Sequence, residues 1–108
     1  MKLLVAIIQD RDADAVVERL TTKHISVTRI ATSGGFVHQG NTTLFMGLQE
    51  DQIDSVTETL SEVCHRRRMY LPVAAGITDP MYGLYSQIEV EVGGATIFIL
   101  EVDHFEQI

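Results

Sequence analysis

Hydrophobic residues along the chain fall into short runs of two kinds. Leu3 to Ile8 is an unbroken apolar run, β-branched at Val5, Ile7 and Ile8, and Asp10 just beyond it is a helix-capping residue type; the spacing predicts a strand, a cap and a helix over 11–23. Ala13, Val16, Val17 and Leu20 give that helix its buried stripe. Ile25 to Thr32 alternates and is rich in Val, Thr and Ile, which suits a strand, and Thr42 to Leu48 reads as its antiparallel partner. Asp51 opens a second helix in which Ile53, Val56, Leu60 and Val63 share a face, ending near the basic run His65-Arg66-Arg67-Arg68. Residues 66–86 carry both prolines, Gly76, Gly83 and all three tyrosines without a sustained period, which predicts a long loop, commonly a functional one. Ile88 to Val92, Gly93-Gly94 and Ala95 to Leu100 then predict a hairpin closed by a two-residue glycine turn.

The order of these elements is βαββαβ with an additional C-terminal strand, an α+β arrangement that fits a ferredoxin-like sandwich of two helices on one sheet face. At 108 residues the chain is expected to be one domain, 1–108. The first strand is apolar on both faces, Leu3, Val5 and Ile7 against Leu4, Ala6 and Ile8, and the last repeats this with Ile97 and Ile99 against Phe98 and Leu100. Two helices cover one face of a sheet. The other face therefore calls for a second cover, either further copies of the chain or the long loop folded beneath it.

Charge narrows the partners. Fifteen acidic and eight basic residues leave a formal net charge of -7, which disfavours a sequence-independent grip on nucleic acid or anionic lipid, so a phosphate-bearing ligand needs local donors. The longest apolar run is far short of the roughly 20 residues that span a bilayer. A single cysteine, Cys64, forms no internal disulfide, and the first ten residues lack the length and cleavage region of a secretion signal, so a cytoplasmic home is expected. His24, His38, His65 and His104 are scattered with no HxxxH or HExxH spacing, which gives no metal site within one chain but leaves one between subunits open. No nucleophile and base pair can be named, so an enzyme is not expected. Glu89 and Glu91 share a strand face and read as solvated edge acids, and the basic run suits a helix C-terminus as well as it suits a phosphate.

The densest concentration of recognition chemistry lies at residues 31–47. Gly34-Gly35 expose backbone N–H groups, Phe36 offers a stacking face, and Asn41 carries a donor and an acceptor that match a purine edge. Ser26 and Thr28 lie on one face of the preceding strand, where a hydroxyl can meet a phosphate without adding charge, and Gly47 ends the following one. The glycine pair is neither a Walker loop nor a dinucleotide fingerprint, since no Gly-Lys-Ser/Thr follows and no helix opens there. The pattern is one of nucleotide recognition rather than turnover.

With those residues in view the chain closely resembles the PII-like cyclic di-AMP receptor proteins, the DarA/PstA family of bacterial signalling proteins. The resemblance spans nearly the whole length and is carried by Val5-Ala6-Ile7-Ile8-Gln9-Asp10, Ala31-Thr32-Ser33-Gly34-Gly35-Phe36, Gly40-Asn41-Thr42-Thr43, Glu89-Val90-Glu91-Val92-Gly93-Gly94-Ala95-Thr96-Ile97-Phe98 and Val102-Asp103-His104-Phe105-Glu106-Gln107. It implies a ferredoxin-like protomer in a PII-like homotrimer, with a ligand at each subunit interface, binding without catalysis, no cofactor or metal, and loops ordered by the ligand for a downstream protein partner. Carried over by position, Thr28, Gly35, Phe36, Asn41 and Gly47 line the pocket, Asn41 and the Gly47 backbone face adenine, and Phe98 and Gln107 complete the site.

Three departures bear on the ligand. Ser26 stands where the family usually carries an arginine near the phosphates, Val37 replaces leucine, and His38 replaces a basic residue; the family's glycine- and asparagine-rich stretch is here Thr78-Asp79-Pro80-Met81-Tyr82-Gly83-Leu84-Tyr85. Losing a charge-assisted contact costs about 1.5–3 kcal/mol. Arg29, or the arginines at 66–68 across an interface, are the candidates to compensate. The expectation is a cytoplasmic cyclic di-AMP sensor using Ser26, Thr28, Gly35, Phe36, Val37, Asn41, Gly47, Phe98 and Gln107; the alternatives are a PII-like sensor of another adenine nucleotide or small anion, and a metal-binding trimer of similar fold.

Overall fold

The computed structural model describes residues 1–32, 40–72 and 87–108. Strand β1 (Lys2–Gln9) runs directly into helix α1 (Asp10–Thr22), followed by β2 (Thr28–Thr32), β3 (Asn41–Leu48), a 3-10 turn at Glu50–Gln52, helix α2 (Ile53–Val63), and strands β4 (Arg67–Pro72), β5 (Gln87–Val92) and β6 (Ala95–Glu101). Four strands form one antiparallel sheet in the order β2-β3-β1-β6, and β4 and β5 form a separate two-stranded ribbon.

The helices lie on one sheet face. Leu4, Ala6 and Ile8 of β1 and Leu44, Met46 and Leu48 of β3 meet Ala13, Val16 and Leu20 of α1 and Val56 and Leu60 of α2, all at most 1% exposed. The period of two in the strands and the helical spacing in α1 and α2 thus converge on one core, as the sequence predicts. Lys23 Nζ donates to Thr59 Oγ1 at 2.8 Å, and Arg19 pairs with Glu62, whose carboxyl is held below its ordinary range chiefly by that guanidinium. α1 closes with the Ile25 N–H bonded to the Leu20 carbonyl at 3.0 Å, and His24 takes the left-handed position (φ 62°) more often given to glycine.

Among the described residues nothing covers the second face, and the 73–86 part of the expected loop lies outside them. The register sets Thr28, Phe45, Val5 and Phe98 in one row across the sheet, and Ile30, Thr43, Ile7 and Thr96 in the next. Phe98 is 53% exposed, Leu100 49% and Ile30 46%. Neither helix reaches this apolar surface, in keeping with a sheet whose strands are hydrophobic on both sides.

Two details differ from the sequence reading. The 67–72 part of the expected loop is strand β4, whose partner is β5. β5 and β6 are consequently not a hairpin: β6 pairs with β1 as the fourth strand of the sheet, while β5 leaves it. The reason lies at the glycine pair, where the Gly93 N–H donates to Gln9 Oε1 at 2.8 Å and the Gly94 N–H to the Cys64 carbonyl, tying the corner to the ends of β1 and α2 instead of closing a turn. Glu89 and Glu91 are exposed, as the sequence predicts, and in addition pair with Arg68 at 3.1 Å and with Arg66 at 3.9 Å.

Candidate functional site

The end of the sheet where β1 leaves, β3 enters and β6 begins carries a cleft of about 200 Å³, lined by Ile7, Gln9, Asn41, Arg66 and Thr96 with Gly93 and Gly94 closing it. Its geometry follows from three local links. The Asp10 N–H donates to the Gly40 carbonyl at 3.1 Å, and Thr42 Oγ1 donates to Asp10 Oδ1 at 2.5 Å, so the first turn of α1 fixes the point at which the chain re-enters β3, next to Asn41. Asp10 is therefore the first helical residue and anchors β3, while Gln9 holds the cap position and gives its amide oxygen to Gly93. Arg67 Nη2 donates to Asp12 Oδ1 at 2.8 Å and Nη1 to the His65 carbonyl at 3.2 Å, securing the base of the ribbon beside the cleft. Asp12 is 4% exposed, so this pair is shielded from water on its acidic side.

Such a cleft offers amide, hydroxyl, guanidinium and backbone N–H groups, which recognise a polar or anionic ligand. Cys64, the nearest thiol, is buried, and desolvation raises it to about 11, which leaves it a thiol rather than a nucleophile at neutral pH. Among the described residues no three His, Cys, Asp or Glu side chains gather closely enough to hold a metal ion. No helix among them is long and apolar enough to cross a membrane.

A family model described as "Cyclic-di-AMP receptor" matches residues 1–108. The chain belongs to the cyclic di-AMP receptor family. A crystal structure of a functionally unknown protein from Pediococcus pentosaceus ATCC 25745 shares 34% identity with this receptor-family chain, covers 99% of it and 96% of its own length, and superposes with a TM-score of 0.75. The small PII-like, ferredoxin-like fold of the family agrees with the architecture above.

The residues that the family resemblance assigns are distributed as follows. Thr28, Asn41, Gly47 and Phe98 all lie on strands, on the open sheet face. Ser26 is exposed and precedes β2 rather than lying on it, and the β2–β3 register continued beyond Thr28 sets it level with Gly47. Gln107 is exposed on the segment after β6. Gly35, Phe36, Val37 and His38 lie outside the described residues. Asn41 and Gly47 stand six residues apart on one strand, which separates them by about 20 Å, far more than the width of a purine. One copy does not bring these two together on one base. Arg66, one of the arginines at 66–68 that the sequence offers as compensating charge, joins Asn41 in the cleft, and so do Gln9 and Thr96, which the sequence does not assign to the site; the available signal was the polar Gln9 ending an apolar strand and the glycine pair preceding β6.

Proposed function

We propose that this chain is a cytoplasmic, non-enzymatic receptor for cyclic di-AMP that works as a homotrimer, with the ligand held between subunits. The observation that carries the reading is the match to the cyclic di-AMP receptor family over residues 1–108. The open apolar face, with Val5, Ile7, Phe45 and Leu100 on it, supports assembly, because it is a surface that copies of the chain can cover. The separation of Asn41 from Gly47 supports a shared site: an adenine that meets both takes Asn41 from one copy and the Gly47 backbone from another. Phe36 stacks on the base, Asn41 reads its edge, and Ser26 and Thr28 meet the phosphates, with Gly35, Val37, Phe98 and Gln107 completing the pocket. Ligand contact at 31–47 then orders loop surface for a downstream protein.

Titration calorimetry with cyclic di-AMP, using ATP and cyclic di-GMP as controls, tests this. Saturable binding near one ligand per chain is expected, and Asn41→Ala is expected to abolish it while the trimer mass survives in light scattering. No heat with cyclic di-AMP from an intact trimer overturns the reading. A second reading, a sensor of another adenine nucleotide in the same pocket, is favoured by position 26: Ser26 brings no charge, and Arg29, three residues on in β2, is engaged with Asp14 at 2.6 Å on the helix side. Saturation by ATP in place of cyclic di-AMP would select it.

A further inference from the structure

We propose that Arg66 supplies the positive charge that meets the ligand's phosphates. The inference rests on the receptor reading above. A phosphodiester approaching a chain of net charge -7 needs a local cation, and most cations here are engaged elsewhere. Arg29 is held by Asp14, Arg67 by the buried Asp12, Arg68 by Glu89, and Arg19 by Glu62. Arg66 differs on three counts. Among the described residues it is the one cation lining the cleft with Asn41, Gln9 and Thr96. Its guanidinium stands 3.9 Å from Glu91, beyond hydrogen-bonding distance, with the side chain 80% exposed. Its stem lies along Gly94, Cγ and Nε standing 3.5 Å from where a Cβ would project, so the side chain passes over a glycine that closes the cleft.

The chemistry favours exchange of partners. A loose, exposed arginine–glutamate pair contributes little, whereas a guanidinium fork binds phosphate oxygens through two parallel charge-assisted hydrogen bonds. Arg66 also sits in the short link between α2 and β4, pinned on either side by the Gly94 bond to the Cys64 carbonyl and by the Arg67–Asp12 pair, so its backbone is fixed while its head is held only by the loose contact with Glu91. Glu91 competes for the same head, which makes its neutralisation a gain for the ligand.

The test is calorimetric titration of cyclic di-AMP into the full chain and into Arg66→Gln, Arg66→Lys, Glu91→Gln and Arg68→Gln, each across a range of salt concentration, with melting curves to confirm folding. Arg66→Gln is expected to bind about 10- to 100-fold more weakly and with a shallower salt dependence, at an unchanged melting temperature. Arg66→Lys, which keeps the charge and loses the fork, falls between, Arg68→Gln binds as the parent does, and Glu91→Gln binds at least as tightly. Affinity of Arg66→Gln within about twofold of the parent, or a loss with unchanged salt dependence, overturns the assignment of Arg66 alone. Should Arg66→Gln fail to fold, Arg66→Met, which also removes the charge and keeps the apolar stem, decides by the same two criteria. A parent chain that takes up no cyclic di-AMP overturns the receptor reading instead.

Discussion

The corner between ribbon and sheet makes a quantitative test, because two adjacent glycines differ there in one respect only. Both have left-handed backbones, φ 93° at Gly93 and 92° at Gly94. An alanine at either position carries the strain of that region, about 1–2 kcal/mol. A Cβ at Gly94 meets only the flexible Arg66 side chain at 3.5 Å, so strain is the whole effect. A Cβ at Gly93 lies 2.2 Å from the His65 carbonyl oxygen and 3.0 Å from Arg67 Nη1, a backbone clash that forces the corner apart. Relief moves the Gly93 N–H off Gln9 Oε1 and strains the Arg67 bond to the His65 carbonyl, each hydrogen bond worth about 0.5–1.5 kcal/mol. Gly94→Ala is thus expected to cost about 1–2 kcal/mol, and Gly93→Ala about 2–5 kcal/mol. Urea denaturation of the parent and both variants at one protein concentration reads the difference as a shift in midpoint at constant slope. Equal losses for the two variants would refute the argument, since they would mean that the carbonyl of His65 does not confine position 93.

The Asp12–Arg67 pair gives a second test: Asp12→Ala leaves Arg67 beside a buried surface without its carboxylate and is expected to cost about 1.5–3 kcal/mol, whereas Asp14→Ala, which breaks the exposed pair with Arg29, costs under about 1 kcal/mol by the same denaturation assay. Cys64 predicts a pH dependence. Burial pushes its thiol up from the ordinary 9.0 to about 11 in the folded chain, so its contribution to stability is fully present below pH 9 and is lost as pH rises through 11, by about 2–3 kcal/mol in all; Cys64→Ala flattens that part of the stability–pH curve. At Gly47 an added Cβ meets only Met1 Cε and Sδ at 3.9 Å, so Gly47→Val is expected to leave the melting temperature of the chain unchanged while abolishing cyclic di-AMP uptake in calorimetry, if the ligand approaches the backbone there.

Local pattern made most of the fold legible. β1, β3, α1 and α2 were readable from apolar spacing alone because each presents a full buried stripe to one core. β4 was not, since Arg67-Arg68-Met69-Tyr70 shows the alternation of a strand only once Val92, Glu91, Val90 and Glu89 are seen opposite. The same pairing explains the hairpin that does not form. Ile88 to Val92 and Ala95 to Leu100 flank a glycine pair and satisfy every local rule for a turn, yet the apolar two-faced β6 gains a strand partner in β1, while the acid-bearing β5 finds Arg68 on β4 and Arg66 just before it. Turn chemistry proposed a connection and strand composition decided the partner.

The site divides along a different line. That Asn41 and Gly47 share a face could be read from sequence, because alternation along a strand fixes the side of each side chain, whereas setting Thr28 and Phe98 on that same face needs the register. Their distances could not, for alternation carries no information about which strands become neighbours. Once the order β2-β3-β1-β6 is known, Thr28 and Phe98 fall in one row three strand spacings apart, about 14 Å, and Asn41 and Gly47 at opposite ends of β3. Residues so spaced form a surface rather than a cavity within one copy. A pocket built from them needs a second surface laid against the first, and the apolar side chains left open on the same face are what such a surface would cover. Assembly and ligand recognition are then properties of one face: in the proposed trimer the contact that buries Val5, Ile7 and Leu100 is also the contact that carries Gly47 of one copy towards Asn41 of the next.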